Sequence, residues 1–516
     1  MSDVKLETSF LRLSLLALLV FAGVGTADAA NKNWTGGASG NLNDWNTASN
    51  WSPAVVPGPG DDVNISGGKS YYPILATAAS SSVGSLTIKA GASLTLAPGG
   101  ALVTTEGGNS VAVSGTLTIS GGTLTVHQDI NGSGSINMSG GTLQLGHDFH
   151  LASTNFSATG GTVEWTGEVG SAGAGAFPGG TGAYQFFNVL IDSGIDPGFD
   201  NQANNFIIAG NWINNGAVTL TGKATTVTFN GTTAQIIGGS SSTTFNNLTI
   251  NGAGVTLATT ETVNGTLTLT SGVFTTGTNA VVLAAGGSLS GGNSASYING
   301  SLQKVFGAGS GQSFIFPIGD ASNYTPVSLA SLNVTTAGSL TAKTTAGNHP
   351  SIASSGIDPA KSVNRYWTLA NAGGIVVGSY NATFNFVPGD VDAGANTTNF
   401  IAARYSGSWT NATIVAQTAN STALTGLVAL GDFSIGEPAS TLPIAPSLTS
   451  CSIQAGGLAV LKLNGAAGRT YTIQASTNLT SWTNIGTTTM DVTGVGQFVD
   501  VNAPNFRYRL YRAMYP

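Results

Sequence analysis

Charge is what this chain most lacks. Of its 516 residues only 8% are Asp, Glu, Lys or Arg, against roughly 25% in an average soluble protein. Positive charge is scarcest. After Arg12 the next arginine is Arg365, and Lys69, Lys89 and Lys223 are the only basic residues between 60 and 300. That stretch offers no electrostatic footprint for nucleic acid. It also offers no arginine to stabilise a uronate or a developing carbanion, which argues against a polysaccharide lyase. Cysteine is nearly absent: Cys451 stands alone, so an intrachain disulfide is excluded. No nucleophile elbow, phosphate loop, zinc-finger or CxxC pattern occurs. Beyond the N-terminus no segment has the length and continuous apolarity of a membrane helix.

Glycine, by contrast, is abundant at 73 residues, and 41% of residues are hydrophobic. The apolar residues come in short alternating runs, which argues for ordered strands over disorder. The runs also repeat. Gly115-Thr-Leu-Thr-Ile119 recurs at Gly122, Gly141, Gly161 and Gly265, and more loosely at Gly84. The steps from Gly122 to Gly141 and from Gly141 to Gly161 are 19 and 20 residues, the length of one coil of a β-solenoid. Period-2 alternation at Leu86/Ile88, Leu94/Leu96, Leu117/Ile119, Leu124/Val126 and Leu143/Leu145 points one side chain inward and the next to solvent. A larger unit of about 60 residues is superposed: 147–149 and 162–167 correspond to 211–213 and 226–231, and 187–191 to 245–250.

These patterns divide the chain. Residues 1–29 have the order of a secretory signal: Lys5 and Arg12, the apolar stretch Leu13 to Val24, then Ala27-Asp28-Ala29 with small residues for cleavage. Residues 30–65 form a tryptophan-rich N-terminal cap and 66–300 the solenoid repeats. Residues 301–437 carry longer strands with returning charge, expected as an antiparallel sandwich. Residues 438–446 are a Pro-rich linker, and 447–516 a small all-β domain. The expected fold is therefore all-β: a parallel β-helix or solenoid followed by β-sandwich-like domains.

The pattern Trp34-Thr-Gly-Gly, Asn50-Trp51, Pro57 and Asp61-Asp-Val-Asn-Ile65 resembles the start of exported bacterial β-solenoid proteins, including autotransporter-type passenger regions. The signatures Phe314-Ile-Phe-Pro-Ile-Gly-Asp320 and Arg365-Tyr-Trp367 resemble a module that follows such solenoids. Gln474-Ala-Ser-Thr-Asn-Leu479 and Phe506-Arg-Tyr-Arg-Leu-Tyr-Arg512 resemble a C-terminal module of verrucomicrobia-like exported proteins. The resemblance implies an extracellular or cell-surface setting and no particular chemistry.

Candidate sites are few. His127-Gln-Asp129 and His147-Asp148-Phe-His150 lie one repeat apart, so Asp129, His147, Asp148 and His150 are candidate metal ligands. The alternative, which the repeat comparison favours because Asn211 and Trp212 fill the matching positions elsewhere, is a solvent-facing polar corner. Trp34, Trp45 and Trp51 either cover the open solenoid end or form a sugar-stacking platform. Asp192, Asp196 and Asp200, and Asp390 with Asp392, are spaced compatibly with Ca²⁺ but lack an EF-hand's glycine and final glutamate. Arg507 and Arg509 are expected on the solvent face of a terminal strand, with Phe506, Tyr508 and Leu510 on the other. They are alternatively a dock for an acidic glycan. No cofactor is called for, and Ca²⁺ is a compatible ion. The functional expectation is a non-catalytic structural or adhesin-like surface protein contacting polysaccharide or cell-envelope components. The alternatives are a carbohydrate-binding module array and a β-helix polysaccharide lyase or glycoside hydrolase.

Overall fold

The computed structural model describes residues 29–78, 82–106, 110–167, 182–198, 205–220, 224–439 and 445–515. The expected signal peptide up to residue 28 lies outside them, as do Asp200, Lys223 and residues 440–444 of the linker. Strand makes up 57% of the described residues and helix 4%, so the fold is all-β. No helix among the described residues is long and apolar enough to cross a membrane. The chain divides into two compact units, one reaching Glu437 and the other spanning Pro438–Pro516.

The first unit begins as a parallel β-solenoid of about 11 turns. Its first face stacks strands from Ser93–Leu96 through Thr116–Val126 and Thr226–Phe229 to Ser288–Gly291. Inward residues fall in register and form columns: Tyr184, Phe206, Val227, Leu248 and Leu267 are all fully buried. The second face stacks Leu102, Leu124, Leu143, Val163, Val189 and Trp212 in the same way. Alternation thus does what period 2 dictates: each buried apolar residue is backed by an equivalent one above and below. Between these faces the strands run on through Gly121-Gly122, Gly140-Gly141 and Gly160-Gly161, where the pairing register is interrupted. Gly141 has φ +74°, and a β-carbon there would overlap the carbonyl oxygen of Gly122 one coil away. Glycine is required for conformation and for space.

The third face is a seven-stranded sheet. It runs from Trp51–Ser52 at one edge, through Asn31–Trp34, Asp62–Ile65, Ser85–Ile88 and Val111–Val113, to Ile130–Asn131 and Phe149–His150. Trp51–Ser52 runs antiparallel to its neighbour and lies outermost, against the parallel order of the rest.

The 60-residue unit does not survive as a structural repeat. Val163 stacks on Val189 on the second face, whereas its expected equivalent Val227 stacks on Leu248 on the first. The reason is an uneven coil. Ser157 pairs with Gln185, 28 residues on, where Asn205 pairs with Thr226, 21 residues on. The extra residues move similar sequences onto different faces.

The proposed sequence break at 300 falls inside a strand. Ile298–Phe306 pairs parallel with Phe274–Leu283 of the solenoid and antiparallel with Gly338–Ala346 beyond it. One strand therefore belongs to both architectures, and one buried apolar cluster runs from Trp34 to Ile435. Beyond it lie two antiparallel sheets. One holds Gly338–Ala346, Arg365–Asn371, Gly431–Pro438 and Ile401–Tyr405. The other holds Gly309–Phe316, Val327–Thr336, Val376–Asn385, Ser421–Leu427 and Trp409–Gln417. The second unit consists of two three-stranded antiparallel sheets around Leu461, Leu463, Tyr471, Ile473 and Met490.

Candidate functional site

The outward residues of the first solenoid face form two columns. One passes through Ser93, Thr116 and Ser135, and after an interval through Ala183, Asn205, Thr226, Asn247, Thr266 and Ser288. The other runs Thr95, Thr118, Asn137, Ser157, Gln185, Ile207, Thr228, Thr249, Thr268 and Ser290. None of these residues is charged. Rungs about 4.8 Å apart make this a surface roughly 40 Å long. Side chains tie successive rungs together. The Thr226 and Thr266 N–H groups donate to the Asn205 and Asn247 side-chain oxygens, and the Thr266 and Ser288 hydroxyls lie 2.9 Å apart. On the second face the Thr125 hydroxyl donates to Gln144, whose amide donates to Glu164.

Among the described residues, a group of Asp and His side chains close enough to share an ion sits at the last two rungs of the seven-stranded sheet. Pairing of Ile130 with Phe149 and of Asn131 with His150 sets Asp129 beside Asp148 on the next coil. The Ile130 N–H donates to the Asp148 carbonyl at 3.0 Å. His147 Nδ1 lies 2.7 Å from Asp129 Oδ1 and 3.6 Å from Asp148 Oδ2. His150 Nε2 lies 3.4 Å from Asp148 Oδ2. The Asp148 N–H donates to Asp129 Oδ1 at 3.1 Å. One donor atom each from Asp129, His147 and Asp148 falls within 4.8 Å of the others. The structure therefore brings together the residues that the sequence places one repeat apart, and holds them partly exposed.

The tryptophan platform is overturned. Trp34, Trp45 and Trp51 are 1%, 0% and 2% exposed and pack edge to face, with centroids 5.0 and 4.8 Å apart. The Trp34 indole donates to the Tyr71 carbonyl, and that of Trp51 to the Trp45 carbonyl. Rings so enclosed by one another and by the first coil present no face to a sugar.

The Asp390–Asp392 turn is not a Ca²⁺ loop. Asp390 receives two hydrogen bonds from Arg365, at 2.9 and 3.1 Å, while Asp392 accepts from the Ser362 N–H and the Asn364 amide. Asp192 lies at the start of a turn closed by the Ile195 N–H, and Asp196 is exposed. The arginine expectation holds for Arg507, which is exposed, and fails for Arg509. The Arg509 side chain is largely covered, 2.7 Å from Asp500 and stacked 4.0 Å from the Phe506 ring, while Tyr508, expected on the covered face, is 67% exposed. The strand begins only at Leu510, so 506–509 do not alternate as strand residues. Arg512 stacks on Trp482 and donates to Gln474.

Three features escaped the sequence reading. Arg365 is fully buried and also lies 2.7 Å from Asp320. Burial alone would depress its pKa, but hydrogen bonds and charge from Asp390 and Asp320 outweigh this and raise it. Glu261 is fully buried, with no counter-charge among the described residues. Burial pushes its carboxyl up to about 7, against hydrogen bonds from the Thr259 hydroxyl and the Thr243 N–H. Lys304 directs its ammonium at the carbonyls of Ala284, Ala285 and Gly287. It lines a cavity of about 730 Å³ between Leu289 and Phe314, but its three donors are already engaged. Each is an ionisable residue at a buried position, which apolar periodicity cannot flag.

Residues 33–159 match a family described as a domain of unknown function, DUF8693. The matched stretch contains the three buried tryptophans and the Asp129–His147–Asp148–His150 cluster. No curated protein and no solved structure gives a significant match.

Proposed function

We propose that the chain is an exported structural or adhesin-like protein whose solenoid presents a long, uncharged polar face to neutral polysaccharide. The observation that carries this is the pair of outward columns between Ser93 and Ser290, which hold no Asp, Glu, Lys or Arg. Such a face makes weak contacts repeated at every rung, and repetition supplies avidity where single-site affinity is low. It carries no cation to meet a uronate, so acidic glycans are disfavoured. The order of residues 1–29 and the resemblance of 34–65, 314–367 and 474–512 to exported bacterial solenoid proteins support a surface location.

Among the described residues the solenoid carboxylates meet no lysine or arginine in the manner of a lyase site. Glu164 belongs to the ladder on the second face, Glu261 is enclosed in the core, and Asp129 and Asp148 face histidines. The test is to incubate residues 30–516 with insoluble glucan, xylan, pectin and alginate and to assay both retention and released reducing ends. Retention on glucan or xylan without release is expected. Release that Asp129→Ala or Asp148→Ala abolishes would overturn the reading in favour of a hydrolase or lyase.

A further inference from the structure

We propose that Asp129, His147 and Asp148 bind one Zn²⁺-class divalent cation, with His150 as the fourth ligand, and that the ion staples the last two rungs of the seven-stranded sheet. The donors come from two adjacent coils, and parallel register fixes their relation. Ile130 and Phe149, which flank the cluster, are 0% and 1% exposed and cannot move without disturbing the core. The carboxylates therefore meet in the folded chain whether or not an ion is present.

Metal–ligand bonds of about 2.0–2.1 Å in a tetrahedral site place donor atoms roughly 3.3–3.4 Å apart. The distances here are 2.7 Å for Asp129–His147, 3.6 Å for Asp148–His147 and 3.4 Å for Asp148–His150. The first must open, by rotation of the partly exposed His147 imidazole, and His150, which lies outside the group of donor atoms within 4.8 Å of one another, must swing inward. The His150 side chain is 42% exposed, so it has room to close the fourth position. The hydrogen bond from the Asp148 N–H to Asp129 Oδ1 is the kind of outer contact that orients a ligating carboxylate.

Ligand chemistry chooses the ion. Two imidazoles and two carboxylates suit zinc and its neighbours. Ca²⁺ takes 6–8 oxygens, more than two carboxylates flanked by histidines provide. The location gives the ion a task. Phe149–His150 is the edge strand of its sheet, joined to Ile130–Asn131 by a two-residue ladder, and edge strands are where a sheet frays.

The test uses untagged, chelator-treated protein spanning residues 30–516. Calorimetric titration with ZnCl₂ should show one saturable site, and Zn²⁺ should raise the thermal unfolding midpoint. His147→Ala and the near-isosteric Asp148→Asn should each weaken binding at least tenfold and remove the thermal shift. CaCl₂ should give no saturable binding. Circular dichroism of both variants separates loss of a ligand from loss of fold, and Asp148→Asn keeps the shape of the corner. Absence of saturable Zn²⁺ binding into the millimolar range would overturn the proposal. So would binding that persists unchanged in both variants. Neither result bears on glycan retention, which is measured without added metal.

Discussion

The two parts of the first unit are held together by different physics. In the solenoid each buried residue is one member of a column. Leu143 lies between Leu124 and Val163, and Val227 between Phe206 and Leu248. The information is spread out, since every coil repeats the same instruction. In the antiparallel sheets beyond Ile298–Phe306 much of it is gathered at one buried ion network. Arg365 there joins Asp320, Asp390 and Thr344 from three separate segments. Stacking gives an extendable rod, whereas a network fixes one arrangement of strands that do not repeat. Buried ions are weak evidence for stability, yet breaking one is costly because the partner is left uncompensated.

Mutations sharpen that contrast. The largest effect is expected for Leu143→Asp, which puts a carboxylate into a column with no partner. The coils on both sides should lose protection in hydrogen exchange, and the solenoid should fail to fold. Leu143→Ala should cost about 2–5 kcal/mol in denaturant titration. If Leu143→Asp left the exchange pattern of 116–165 intact, cooperative stacking would be the wrong description. Next is Arg365→Met, which strands Asp390 and Asp320. It should cost about 3–5 kcal/mol, with loss of protection centred on 318–392. A smaller loss on adding Asp390→Asn and Asp320→Asn would show that uncompensated carboxylates, not missing packing, account for the cost.

Legibility in the sequence follows the same division. Columns are written in period 2 and in the 19- and 20-residue steps, so the solenoid and its inward Leu124, Leu143 and Val163 could be read directly. The Asp129–Asp148 proximity came from the same arithmetic. A network leaves no periodic trace. Asp320 in Phe-Pro-Ile-Gly-Asp and Arg365 in Arg-Tyr-Trp look like two independent signatures until the ion pair joins them. The tryptophans show the limit from the other side. Their spacing does not say whether three indoles face one another or the solvent. The 60-residue unit misled because sequence similarity carries no record of the long step between Ser157 and Gln185.

Glu261 tests whether a charge within the stack behaves like one within a network. It has hydrogen bonds but no counter-ion among the described residues, and its carboxyl lies near 7 in the folded chain against 4.5 when unperturbed. The folded state therefore holds a proton that the unfolded state releases, and the stability contributed is present in full below pH 4.5. It is lost as pH rises toward 7, by on the order of 3 kcal/mol. Urea midpoints measured across that window should fall in the wild type. Glu261→Gln should flatten the decline, and a Glu261→Gln curve that still fell in parallel would assign the dependence elsewhere.

The smallest stability effect is expected on the solvent side of the same strands. Thr249 alternates with the fully buried Leu248 and Ile250 and is only partly covered. Its outward neighbours Thr228 and Thr268 are uncharged. Thr249→Lys adds one cation to an open surface, so it should change unfolding free energy by no more than about 0.5 kcal/mol. Leu248→Lys, one residue away, should prevent the coil from forming. The pair separates what the column does for the fold from what it does for contact. If the uncharged face is the adhesive one, Thr249→Lys with Thr228→Lys should reduce retention on glucan or xylan while the unfolding midpoint stays near wild type. Retention unchanged by both lysines would remove this face from the function and leave the solenoid as a spacer.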